Sequence, residues 1–231
     1  MFSAILLSGG RGKRMKKDMP KQYLLLAGKP IIMHSLERLD KLSEINEIIV
    51  VCEEEFKSSI QLMLKQYNIE TNVIFAHAGT TRQESVYNGL KYVNNDKVII
   101  HEAARPFATL NDFKRLIESE SPNATLGYSI PYTVVKGSNI ITDLLDRDEL
   151  INVQLPQKFD TNVIRKVHEN ARVEKKLFTE DAGMVFHYTG LQVQVVNGSS
   201  FNIKITEAVD LLIGEIIYNE YIACRKWVLG D

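Results

Sequence analysis

The chain has 231 residues, 45% apolar and 25% charged, with 28 basic side chains against 29 acidic ones. That length suffices for a substantial core, and nothing in the near-zero net charge suggests a nucleic-acid surface, which would want a clustered basic excess. No apolar run approaches the roughly 20 residues of a membrane helix, and the first ten residues lack the basic region of a signal peptide.

Strand and helix patterns alternate along the chain. Residues 3–8 form a short apolar run ending in Gly9-Gly10, and residues 30–39 carry apolar positions at helical spacing behind an initiating proline. A β-branched strand over 45–52, an amphipathic helix over 54–67, a strand over 72–76 and a helix over 81–93 follow. Residues 97–103 read as a third β-branched run, residues 110–119 as a helix capped by Thr109, and residues 124–131 as a further strand. Continuous apolar strands separated by amphipathic helices predict an α/β fold, a mostly parallel sheet with helices on both faces.

The rhythm breaks at residues 132–146, where two β-rich stretches flank Gly137-Ser138-Asn139, the pattern of a hairpin. This segment predicts a protruding β-hairpin arm, inserted over 132–150 in a single domain spanning 1–231. Helices over 160–173 and near 179–186, a strand over 192–197 and a long C-terminal helix from 206 complete the pattern. Cys52 and Cys224 stand outside any Cys-x-x-Cys pair and read as buried thiols of a reducing compartment. A cytoplasmic location is expected.

The first strand runs into Ser8-Gly9-Gly10-Arg11-Gly12-Lys13-Arg14-Met15, and Pro20-Lys21-Gln22-Tyr23 follows. Glycines after a strand let main-chain amides approach phosphates. The loop lacks the Gly-Lys-Ser/Thr ending of a Walker loop and the third glycine of a dinucleotide fingerprint. It adds two cations at fixed spacing, Arg14 and Lys21, suited to a triphosphate. Glu102 closes a predicted parallel strand, where ligands bind in such sheets. A zinc site there lacks a second histidine at helical spacing, and His34, His77, His168 and His187 read as packing or surface residues.

These motifs resemble those of the sugar- and polyol-phosphate nucleotidyltransferases. The resemblance is strongest to the cytidylyltransferases acting on 2-C-methyl-D-erythritol 4-phosphate and on ribitol 5-phosphate. It runs over nearly the whole chain: the glycine loop with Pro-Lys-Gln-Tyr, then Gly79-Thr80-Thr81-Arg82 to Ser85, and His101-Glu102-Ala103-Ala104-Arg105-Pro106. Asp146-Arg147, Leu155-Pro156-Gln157-Lys158-Phe159, Phe178-Thr179-Glu180-Asp181-Ala182 and Asn202-Ile203-Lys204-Ile205-Thr206 follow in order.

The resemblance implies a Rossmann-like nucleotidyltransferase fold and transfer of CMP from CTP to a small phosphorylated polyol. Arg14, Lys21 and Lys204 would be catalytic. Leu7, Ser8, Gly9, Gly10, Gly12, Gly79, Arg82, Ser85 and Ala103 would hold the nucleotide, and Glu102, Arg105, Arg147 and Thr179 the acceptor. Magnesium would be the cofactor, with Glu102 its protein ligand. The arm would form a homodimer and carry Arg147 into the partner's site, with no nucleic-acid or membrane partner.

Glu102 replaces the family's aspartate, Val135 and Thr133-Val134 alter the arm, and Leu155 replaces a threonine. The lost hydroxyls imply a rebuilt acceptor side, and so favour an alditol phosphate over methylerythritol phosphate. A hexose-1-phosphate nucleotidyltransferase and a non-catalytic nucleotide-binding regulator are the remaining alternatives.

Overall fold

The computed structural model describes residues 1–10 and 19–223. In chain order its strands are β1 (Phe2–Leu7), β2 (Leu25–Leu26), β3 (Lys29–Pro30), β4 (Ile45–Cys52), β5 (Asn72–His77) and β6 (Lys97–Glu102). Then come β7 (Ala124–Ser129), β8 (Val135–Gly137), β9 (Ile141–Leu144), β10 (Ile151–Asp160) and β11 (Gln194–Asn197). The helices are α1 (Ile31–Asp40), α2 (Glu54–Gln66), α3 (Arg82–Leu90), α4 (Leu110–Glu118), α5 (Thr161–Val173), α6 (Asp181–Thr189) and α7 (Ala208–Ile217).

Seven strands form one sheet in the order β11-β7-β10-β6-β1-β4-β5. β1 runs parallel to β4 and β6, β4 parallel to β5, and β11 parallel to β7, while β10 runs antiparallel to β6 and β7. The run Ile48–Ile49–Val50–Val51 is buried on both faces because each face has its own helical layer. Ile32, Leu36, Ile60 and Phe113 cover one face, from α1, α2 and α4. Val86, Leu90, Ile164, Val167 and Val185 cover the other, from α3, α5 and α6.

From β1 the chain builds outward to β4 and β5, then returns to add β6 on the other side of β1. That reversal opens a crevice at the carboxyl ends of β1, β4, β5 and β6, the place where open α/β sheets bind ligands.

Several elements differ from the sequence expectation. β10 is a full ten-residue strand whose register shifts between Gln154 and Gln157, a bulge that accommodates Pro156, which has no N–H for the ladder. α6 starts at Asp181 rather than near 179, because the Glu180 side chain accepts from the Ala182 and Gly183 amides. α7 ends at Ile217 and continues as a π-helical turn over Tyr218–Ala223. The short β2–β3 ribbon has no counterpart in the sequence reading. The arm forms as expected: β8 and β9 pair antiparallel, Val135 opposite Leu144 and Lys136 opposite Asp143, in a ribbon separate from the main sheet. No helix among the described residues is long and apolar enough to cross a membrane.

Candidate active site

The loops leaving the parallel strands are tied to one another by main-chain bonds. Ser8 N donates to Val51 O, Ala103 N to Leu7 O and Ala78 N to Cys52 O, at 2.8–3.0 Å. The loop after β1 and the loop after β5 touch: a Cβ on Gly9 would lie 2.3 Å from Ala78 Cβ. Only glycine permits that approach. The turn Lys21–Tyr23 then clamps the loop, with Gln22 Nε2 donating to Ser8 O at 2.6 Å. Tyr23 anchors the turn by stacking on Phe56, ring centroids 4.6 Å apart. Burial pushes the Tyr23 phenol up to about 12 despite the nearby Ser8 hydroxyl. Lys21 is thereby held in a buried position beside the glycine loop.

A second loop enters at the start of α3. Thr81 caps the helix by accepting from Glu84 N. The Glu84 carboxylate reaches back to the Thr80 amide and hydroxyl, both at 2.7 Å. Ser85 Oγ accepts from Gly79 N and donates to Thr81 O, each at 2.9 Å. A Cβ on Gly79 would lie 2.5 Å from Glu84 Cβ and 2.8 Å from its backbone carbonyl carbon, so the loop can fold this tightly only with glycine there.

Beside the glycine loop, where Glu102 pairs in register with Leu7, begins a chain of largely buried charges. Glu102 Oε1 accepts from Arg82 Nε at 2.9 Å, and Glu102 Oε2 lies 2.5 Å from Lys204 Nζ. Arg82 Nη2 lies 2.8 Å from Asp181 Oδ2, and Asp181 Oδ1 meets His168 Nε2 at 2.9 Å. Burial alone would raise the Glu102 carboxyl, but Lys204 and then Arg82 overcome it and hold it at about 2. Asp181 is likewise held below the usual carboxylate range, burial being outweighed by Arg82 and His168. Burial works against the Arg82 guanidinium, yet Asp181 and Glu102 together keep it above its ordinary value.

Lys204 arrives on an irregular segment after β11. Ile205 N donates to Ala104 O at 2.8 Å, Arg105 Nη1 to Asn202 O at 2.9 Å, and Asn202 Nδ2 to Leu155 O at 2.7 Å. Arg105 thus fastens the backbone that presents Lys204.

These parts enclose a cavity of about 650 Å³, in the size range of small-molecule sites. Of the residues singled out from the sequence, its wall gathers Leu7, Ser8, Gly9, Gly10, Lys21, Gly79, Arg82, Ser85, Glu102 and Lys204. Gly12 and Arg14 lie outside the described residues.

Four others do not reach the cavity. Ala103 is fully buried beneath it and Ala104 takes its place on the wall. Arg105 turns to the Asn202 carbonyl. Thr179 is exposed ahead of α6, and Arg147 is exposed on the arm, with Asp148 3.8 Å away. The wall also includes Gln22, Glu53, Ala78, Thr80 and Thr81. Glu53 directly follows β4, so its position at the carboxyl end of a parallel strand was the available signal.

The sequence model of the 2-C-methyl-D-erythritol 4-phosphate cytidylyltransferase family matches residues 2–220. The chloroplastic enzyme of that name from Oryza sativa subsp. japonica is 36% identical over 94% of this chain and 74% of its own length. The Bacillus velezensis enzyme of that name is 34% identical over 94% of this chain and 95% of its own length. The crystal structure of 4-diphosphocytidyl-2C-methyl-D-erythritol synthase from Anaerococcus prevotii superposes with a TM-score of 0.84, at 26% identity over 94% of this chain and 96% of that one. With the glycine loop, the strand-end carboxylate and the Lys204 segment converging on one cavity, the chain belongs to the 2-C-methyl-D-erythritol 4-phosphate cytidylyltransferase family, CTP-utilising nucleotidyltransferases.

Proposed function

We propose that this enzyme transfers CMP from CTP to 2-C-methyl-D-erythritol 4-phosphate, releasing pyrophosphate. The observation that carries the reading is the convergence of Lys21, the Gly9–Gly10 loop, Glu102 and Lys204 on one cavity wall. The acceptor follows the name shared by relatives that align over almost the whole chain. The preference for an alditol phosphate loses one of its supports. Leu155 is buried in the apolar cluster with Ile5, Ile100 and Phe159, away from the cavity wall.

The reaction is an in-line displacement. An acceptor phosphate oxygen bonds to the α-phosphorus of CTP while the bond from that phosphorus to the pyrophosphate oxygen breaks. Positioning and charge stabilisation are the protein's tasks. Lys21 and Lys204 neutralise charge on the phosphates, and the amides of the glycine loop face them. Arg147 serves the acceptor phosphate of a second subunit, as part of a homodimer joined through the arm.

Magnesium fits one feature of the cavity. It takes one or two carboxylates, with phosphate oxygens and water supplying the rest. Glu102 is a carboxylate at the cavity wall, with its oxygens on Arg82 and Lys204. Among the described residues no three His, Cys, Asp or Glu side chains cluster, and Glu102 would be the protein ligand of a cation carried mainly by the triphosphate only by exchanging its Lys204 contact for that cation. Such a cation would neutralise phosphate charge. A cytoplasmic location accords with Cys52 as a buried free thiol.

The test is pyrophosphate release from CTP with each acceptor in turn. Methylerythritol phosphate is expected to give the highest kcat/KM. Higher kcat/KM with ribitol 5-phosphate would return the acceptor to the alditol class. Equal use of UTP would remove the cytidylyl reading altogether, since a site built for one exocyclic pattern rejects its opposite.

A further inference from the structure

We propose that His168 is a positioning residue for this transfer, acting through Asp181 to fix the guanidinium of Arg82 against Glu102. The inference rests on the proposed reaction for its kinetic consequence, and on geometry alone for the positioning.

His168 lies in the middle of α5, fully buried, and its Nε2 sits 2.9 Å from Asp181 Oδ1. Asp181 is an acceptor there, so Nε2 carries the proton and donates. The other ring nitrogen, Nδ1, is buried with no hydrogen-bond partner. An aliphatic side chain would fill the same core space without leaving a buried polar atom unmet. The one polar contact the ring makes is therefore the one that accounts for a histidine at this position.

Asp181 is also fully buried, and its second oxygen faces Arg82. Arg82 is the first residue of α3, where a cation opposes the helix dipole. Two carboxylates from other elements offset this, Asp181 at Nη2 and Glu102 at Nε. The guanidinium is oriented by a hydrogen bond at Nε and an ion pair at Nη2. With Asp181 free to turn, Arg82 keeps a single anchor, and Glu102, shared between Arg82 and Lys204, shifts with it. The chain His168–Asp181–Arg82–Glu102–Lys204 thus runs from the core behind α5 to the cavity wall.

The test uses two amides of different reach. Glutamine places its Nε2–H close to where the imidazole Nε2–H lies, and asparagine falls short of Asp181. The first readout needs no substrate: the Arg82 Nε–H resonance in a 1H–15N spectrum and its exchange with solvent. A slowly exchanging signal is expected in wild type and His168→Gln, and a rapidly exchanging one in His168→Asn. The second readout is kcat with CTP and acceptor. It is expected to fall roughly 10- to 100-fold in His168→Asn, as for a misplaced group near a reacting centre, and to recover in His168→Gln. Asp181→Asn, which keeps the side-chain shape, should match His168→Asn in both readouts and covers the case in which that variant does not fold. An unchanged Arg82 signal in folded His168→Asn or Asp181→Asn overturns the positioning role, as does equal turnover in the two His168 amides. A wild type that releases no pyrophosphate would refute the transfer reaction while the Arg82 signal still reads the positioning.

Discussion

Lys204 Nζ lies 2.5 Å from Glu102 Oε2, so the segment after β11 is fastened to the carboxyl end of β6 by a charge pair whose carboxylate is buried and whose ammonium is 38% exposed. Glu102 is held at about 2 against an ordinary value of 4.5. A carboxyl depressed on folding stabilises the native state above its ordinary value, and that contribution fades as pH falls through 4.5 towards 2. Asp181 shifts in the same direction. Glu102→Gln should therefore cost stability at neutral pH, roughly 3 kcal/mol, the low end for a broken buried pair because Lys204 stays partly in water. It should also flatten the dependence of melting temperature on pH across that acid window. An acid slope as steep as wild type would show that the linkage resides elsewhere.

Lys21 and Lys204 both line the cavity, one clamped beside the glycine loop and one on the segment stapled by Arg105. Replacing either by alanine should lower turnover on the order of 100- to 1000-fold, the usual cost of one transition-state donor, with circular dichroism unchanged. Turnover within a factor of a few of wild type would remove that lysine from the chemistry.

Gly9 and Ala78 test the packing of the two nucleotide loops. A methyl at Gly9 would lie 2.3 Å from Ala78 Cβ, so Gly9→Ala should separate the loops and raise the KM for CTP. Pairing it with Ala78→Gly removes the opposing methyl and should restore much of the affinity. Titration calorimetry with CTP on the single and double variants measures this. Equal weakening in both would show that Gly9 is needed for its backbone rather than for the contact.

Much of this arrangement was legible in the sequence because it is carried by local signals. β-branched runs such as Ile48–Val51 mark parallel strands, and Thr109 caps its helix as expected, while Thr81, read as the first helical residue, is the cap one position ahead of α3. β10 was not legible, because its interior positions are polar. Gln154, Gln157 and Lys158 are buried only because partners distant in sequence accept their hydrogen bonds. Gln154 Nε2 donates to Ser199 O, Gln157 Nε2 to Thr125 Oγ1 and Glu180, and Lys158 Nζ to Ser119 O. The same holds for Arg105 and His168: their partners, Asn202 and Asp181, come from other parts of the chain. A motif names such residues but not the direction in which they point.

Arg147 is the residue whose placement is most informative about assembly. Its side chain is 54% exposed on the arm, absent from its own chain's cavity wall, with Asp148 3.8 Å away. The arm bearing it exposes Tyr132, Ile140, Ile141 and Leu144, and a two-stranded ribbon with such a surface is marginal in water by itself. A second copy that covers these side chains would also receive Arg147, whose guanidinium can grip a phosphate bidentately. Under two-fold symmetry the exchange is reciprocal, and mixing variants reveals it. Arg147→Ala and Lys21→Ala chains are each expected to be nearly inactive alone. In a mixed dimer one cavity carries both lesions and the other carries neither, so random reassortment of equal amounts should restore roughly a quarter of wild-type activity under this two-fold arrangement. Subunit exchange is followed independently by native mass spectrometry with one isotope-labelled chain. If exchange occurs and activity does not return, Arg147 does not serve the neighbouring cavity.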